Sequence, residues 1–195
     1  MQQDLFLKQN FNNQTITTQS FAGAKLADIS FTDCVLNNCD FSRADISAAS
    51  FSDCVFNGCN LSNVKMAGTK LRNIKFNECK FMGVDFSRAH AFLLSWIFEG
   101  GKAEFCDFKR LDLRSCRFKN TSLKDSDFSA ANLQNTKITG CNLLGAVFAN
   151  TDLRGTDLTG SVNCFIDPSK NKMQGAKISL CEAAGLLSPF GVELE

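Results

Sequence analysis

The chain has 195 residues, 44% of them hydrophobic, with a formal net charge of +1. That length suits one domain. No apolar run is long enough to span a bilayer and Met1–Lys8 lacks a basic start followed by a long apolar stretch, so neither a transmembrane helix nor a signal peptide is predicted, and a soluble cytoplasmic protein is expected. The single histidine, His90, and the lack of any nucleophile motif, P-loop or Rossmann glycine signature argue against an enzyme and for a binding protein.

Residues 1–8 read as a lead-in or N-terminal cap. From Phe11 to Phe86 a residue from the set Phe, Leu, Ile and Met then stands at every fifth position, sixteen times in succession. An α-helix would turn such residues by about 140° at each step, and a straight strand would send them alternately to opposite faces. Neither element buries the set. A chain that bends after every five residues points each of them at a common axis, and coils of such sides stack into a β-solenoid.

The position two before each centre is small or apolar as well, as at Cys34, Cys39, Ala44, Ala49, Cys54 and Cys59. Both points of a short side therefore look inward, as strand alternation requires. Asp, Asn, Ser, Arg, Lys and Gly fill the remaining positions, which face water or make the turns. Eight of the ten cysteines occupy the inward small position and are expected to be core thiols. No CxxC pair occurs, so no metal and no cofactor are predicted.

Stretches such as Cys39-Asp40-Phe41-Ser42-Arg43 and Ala44-Asp45-Ile46-Ser47-Ala48 resemble the pentapeptide repeat, A(D/N)LXX. The resemblance implies four five-residue sides per square coil, wound as a right-handed quadrilateral β-helix. The twenty-residue spacing of Cys39, Cys59 and Cys79 agrees with four sides. At ~4.8 Å per coil, seven to eight coils make a rod of about 35 to 40 Å.

Between Phe86 and Phe108 the separation is 22 rather than 20, so the register breaks within residues 87–104. Two readings stand: a slipped coil with Trp96 and Phe98 in the core, or a protrusion that offers Trp96, Phe98 and Glu99 to a partner. The repeat resumes at Phe108 and runs to Leu158, which gives a solenoid over residues 9–162.

The last segment, 163–195, has a different grammar. Ser179 and Glu182 form an S-x-x-E capping box, Leu180, Ala183, Ala184 and Leu187 share one face of a short helix, and Phe190, Val192 and Leu194 alternate as a strand would. A cap on the open end of the solenoid is the least this segment provides. Its ending resembles that of the pentapeptide proteins that protect bacterial type II topoisomerases, the Qnr, MfpA, AlbG and McbG kind. That resemblance implies a homodimer joined through Leu180, Ala184, Leu187, Phe190, Val192 and Leu194. It also implies a partner, DNA gyrase and by extension topoisomerase IV, shielded from quinolones or peptide toxins by a rod that mimics DNA.

Charge complicates the mimicry. Residues 1–64 carry a net charge of −3, residues 65–124 of +7 and residues 125–195 of −3. Lys65, Lys70, Lys75 and Lys80 take the outward position on four successive sides and are expected to ring one coil. Lys109, Arg110, Arg114, Arg117, Lys119 and Lys124 extend the ring into a basic belt, which is either a solvated face or a surface that meets an acidic partner or phosphates. Direct nucleic-acid binding is not expected, since no aromatic platform interleaves these lysines. The alternative to topoisomerase protection is a generic scaffold that binds another protein.

Overall fold

The computed structural model describes residues 10–90 and 94–191. The lead-in expected over residues 1–8 lies outside them. Among the described residues there are thirteen short strands: β1 Asn10–Asn12, β2 Thr15–Thr17, β3 Ser30–Thr32, β4 Val35–Asn37, β5 Ser50–Ser52, β6 Val55–Asn57, β7 Lys70–Arg72, β8 Ile74–Asn77, β9 Lys80–Met82, β10 Trp96–Glu99, β11 Lys102–Glu104, β12 Arg117–Lys119 and β13 Lys137–Thr139. One helix, α1 (Ala183–Leu187), follows near the end.

All strand pairs are parallel and join one coil to the next. One side of the coil is the sheet β1-β3-β5-β7, and the side after it is the longer sheet β2-β4-β6-β8-β10-β12-β13. β9 and β11 belong to the third side, which single bridges extend both ways, from Ser20↔Asp40 to Asn142↔Val162. A fourth column of bridges runs through Lys25↔Asp45↔Lys65 and Asp85↔Asp107↔Asp127. Four columns make four sides, so the chain is a parallel-stranded β-solenoid with a short C-terminal helix.

The fifth-residue ladder is its core. Phe31, Leu36, Phe41, Ile46, Phe51 and Phe56 are all buried, and like residues stack along the rod axis. Ring centroids of Phe11 and Phe31 lie 4.6 Å apart, those of Phe31 and Phe51 4.9 Å and those of Phe108 and Phe128 4.8 Å, each pair within 8° of parallel. That spacing is set by the backbone ladder, whose strands sit ~4.8 Å apart. Phe41→Ala is therefore expected to cost ~3 to 5 kcal/mol in denaturant titration, whereas Ser42→Ala on the outer face costs under ~0.5 kcal/mol.

The inward small position has a second task. A buried carbonyl must find a donor, and the inward side chain supplies it to the centre residue of the preceding coil. Thr69 Oγ1 donates to Ile46 O at 2.8 Å, Thr136 Oγ1 to Leu113 O at 3.0 Å and Ser161 Oγ to Ile138 O at 2.7 Å. Cys54 Sγ does the same to Phe31 O at 3.5 Å. This explains why Cys, Ser and Thr replace one another there. Burial pushes the thiols of Cys106 and Cys116 up to about 12, which leaves them without thiolate reactivity.

The register shift enters between His90 and Trp96. Up to that point an amide bonds the carbonyl 21 residues earlier, as His90 N does to Thr69 O; beyond it the offset is 23, as in Lys102 N to Cys79 O. From Gly101 O, the acceptor of Ser122 N, the offset is 21 again. Two inserted residues thus slide one coil without breaking any sheet.

Past residue 162 the bridges continue to Asp152↔Lys172 and Asp157↔Lys177, and Cys164 and Ile166 remain buried. α1 then closes the end of the rod, with Leu186 packed against the core. No helix among the described residues is long and apolar enough to cross a membrane.

Candidate functional site: the basic belt, the register break and the cap

The lysine ring is present in the backbone geometry. Lys65 bridges Asp45, Lys70 pairs with Ser50, Lys75 with Val55 and Lys80 with Asn60, each on a different side of the rod. Lys65, Lys70 and Lys80 are exposed. Lys75 is half-buried, and its Nζ lies 3.4 Å from Glu99 Oε2.

Glu99 is the pivot of the belt. Its Oε1 also accepts from Lys119 Nζ at 2.8 Å, so one carboxylate ties cations on the coils before and after it. The hydrogen bond from Lys119 and that lysine's charge, followed by those of Lys75, hold the Glu99 carboxyl below its ordinary range. A group made more acidic by folding stabilises the fold above the unfolded pKa, and that contribution fades as the pH falls through the folded value.

Other belt cations are matched as well. Lys109 Nζ lies 2.8 Å from Asp107 and 3.7 Å from Asp127, while Arg114 grips Asp112 with Nε at 2.9 Å and Nη2 at 2.6 Å. Among the described residues Lys65, Lys70, Lys80, Lys102, Arg110, Arg117 and Lys124 have no carboxylate within 4.0 Å. The usable positive charge is thus narrower than the count for residues 65–124 implies.

Of the three residues picked out at the break, two are core. Trp96 is 0% and Phe98 2% exposed, so neither offers a partner any surface. Trp96 takes the inward small position opposite Ile74, and its Nε1 donates to Leu71 O at 2.9 Å. Phe98 stacks on Phe118 at 5.0 Å and 7°. The slipped-coil reading describes these side chains; a protrusion presenting Trp96 and Phe98 does not. Glu99 alone of the three reaches water.

At the cap, Leu180 is 91%, Phe190 57% and Leu187 36% exposed, and Ala184 is exposed beside them. Val192 and Leu194 lie outside the described residues, with most of the strand expected over 190–195; Ser188–Phe190 is a 3-10 turn. Ser179 and Glu182 do not form a capping box. Ser179 Oγ accepts from Gly160 N at 2.9 Å and Glu182 Oε2 from Cys164 N at 2.9 Å, so both side chains moor the helix to the last coils. Amides left unpaired by the end of the ladder are stronger claims on these oxygens than the first turn of a five-residue helix.

Sequence reasoning missed Lys137, the register neighbour of Arg117. The twenty-residue offset between the two was the available signal.

Comparison with curated protein sequences gives no match. Among solved structures, a trypsin-treated form of QnrB1, described as a plasmid-mediated fluoroquinolone resistance protein, is 20% identical over 95% of this chain and 97% of its own, with a TM-score of 0.63. A second trypsin-treated QnrB1 form is 23% identical over 95% and 90%, with a TM-score of 0.39. HetL, a pentapeptide repeat protein involved in heterocyst differentiation regulation in Nostoc sp. strain PCC 7120, is 18% identical over 85% and 84%, with a TM-score of 0.32. A family model described as a pentapeptide repeat region matches residues 29–108, and one described as pentapeptide repeats matches residues 126–162. Between them they span more than half of the sequence, and the ladder runs on through the coil that separates them: the chain belongs to the pentapeptide repeat family.

Proposed function

We propose that this protein is a non-catalytic partner of a type II topoisomerase, DNA gyrase in the first place, and protects it from fluoroquinolone-type poisons. One observation carries the reading. The likeness to QnrB1 spans 95% of this chain and 97% of that one, so it takes in the length of the rod as well as its repeats. QnrB1 is described as a fluoroquinolone resistance protein, and gyrase is a target of those drugs.

In this reading the rod lies along a surface of the enzyme that otherwise holds duplex DNA, with two copies joined through Leu180, Ala184, Leu187 and Phe190. Exposed apolar side chains at one end of a charged rod favour such a junction. DNA mimicry falls to the acidic coils that carry Asp33, Asp40, Asp45 and Asp53, while Lys65, Lys70 and Lys80 face acidic groups of the enzyme.

The test is gyrase supercoiling in the presence of a fluoroquinolone, paired with direct capture of purified gyrase. Added protein is expected to restore supercoiling and to retain the enzyme. Failure in both would remove the reading, and a monomer in light scattering would remove the dimer.

A further inference from the structure

We infer that the corner formed by Arg114, Arg117 and Lys137, on the coils that follow the register break, binds a phosphate group. Three independent features meet there.

The first is a pair of like charges with no carboxylate within 4.0 Å of either among the described residues. Arg117 and Lys137 are direct register neighbours in β12 and β13, both exposed, and like charges placed opposite one another destabilise a sheet. Some such positions set acid against base, as at Asp152↔Lys172 and Asp157↔Lys177, and where like charges meet at Asp107↔Asp127 a lysine, Lys109, lies within 4.0 Å of both. Asp157 also follows Lys137 in its column, but its Oδ1 is engaged by the amide and hydroxyl of Thr159 at 3.0 and 2.7 Å. It makes no ion pair with Lys137 within 4.0 Å.

The second is an inverted turn. Two-residue turns at the corners of this rod carry a positive φ at their second residue, as at Arg43, Asp125 and Asn135. The Arg114–Ser115 turn is the exception among the described residues. At the equivalent corner Asn13, Asp33, Asp53 and Asn135 donate their amides to the next coil, and Ser115 makes no such bond. A turn without the positive φ has its central peptide rotated by about 180°. That rotation turns the Ser115 N–H away from Gln134, the acceptor that the twenty-residue pattern would give it.

The third is a notch at this point, of about 250 Å³. Its polar lining comes from Ser95, Arg114, Ser115, Arg117, Asn135 and Lys137, without a carboxylate. Arg114 is already oriented by Asp112 through Nε and Nη2, which leaves Nη1 for a ligand. Two guanidiniums, an ammonium, hydroxyls and a freed amide offer donors from several directions. That set fits a tetrahedral oxyanion with many acceptors better than a planar carboxylate with two.

The source of the phosphate is either a small phosphate ligand or the backbone of a nucleic acid, and two titrations of the purified protein separate them. The first uses inorganic phosphate followed by ³¹P NMR, and the second a labelled DNA duplex followed by anisotropy at rising salt. For the native chain saturable phosphate binding is expected in the millimolar range, weakened at least ~10-fold in R117Q/K137Q, whose melting curve stays at or above that of the native chain. Phosphate binding without duplex binding identifies a small ligand. Duplex binding whose log–log salt slope falls by about 1.8 in the double variant identifies backbone phosphates, at ~0.9 for each phosphate no longer neutralised. No saturation by ~10 mM phosphate together with an unchanged duplex slope would overturn the site, as would acetate binding as tightly as phosphate. No topoisomerase enters either titration, so their outcome is independent of the supercoiling assay.

Discussion

Trp96→Ala is expected to destabilise the rod by about 3 to 5 kcal/mol. The indole is fully buried, packs against Phe86 at a centroid distance of 5.5 Å and donates to the carbonyl of Leu71. It fills the inward position that the coils before and after give to Ile74 and Cys116. Alanine would open a cavity and strip Leu71 O of its donor together. Trp96→Phe keeps most of the volume and loses only the N–H, so about 1 to 2 kcal/mol is expected. Circular dichroism during urea titration measures both, and equal costs for the two variants would contradict the packing described for this residue.

Gly101→Ala is the second large effect. Gly100 and Gly101 have φ of +70° and +66°, two left-handed residues in succession at the corner after the break. A β-carbon on Gly101 would lie 2.2 Å from the carbonyl oxygen of Cys79 and 2.7 Å from its nitrogen. Backbone atoms held in a ladder cannot move aside. Cys79 O is also the acceptor of Lys102 N, so relief of the clash breaks a bond between coils. A cost of about 3 kcal/mol or more is expected from strain and clash together. Gly23→Ala is the control: φ is +65° but nothing lies within 4 Å of the new β-carbon, so about 1 kcal/mol is expected from the backbone alone. Similar melting points for the two variants would show that the corner at Gly101 is free to relax.

The core was legible because its rule is periodic. Phe11, Ile16, Phe21 and their successors repeat without a gap, and each needs only the axis as its partner. What the sequence did not disclose depends on neighbours one coil away. The belt looked strongly basic when its charges were counted along the chain, but Glu99 meets Lys75 and Lys119 across coils and Arg114 folds back onto Asp112. Trp96 and Phe98 suggested a recognition element because a break in a scaffold attracts that reading; a shift of two residues instead brings both into the inward phase. The Ser179–Glu182 motif has the spacing of a capping box, yet its oxygens answer amides of Gly160 and Cys164 that no local pattern reveals. The turn at Ser115 has no signature of its own, because a serine suits either rotation of the peptide.

The bonds that join one coil to the next all run along the rod axis, and this decides how the molecule would yield to force. A pull on its two ends loads the bonds of the outermost coil while those behind it still bear nothing, so the rod peels rather than shears. Each event would release a length of chain set by one circuit of the square, about 65 to 70 Å for twenty residues. The circuit that holds the inserted pair would release a little more, and so mark its own place in a stretching trace.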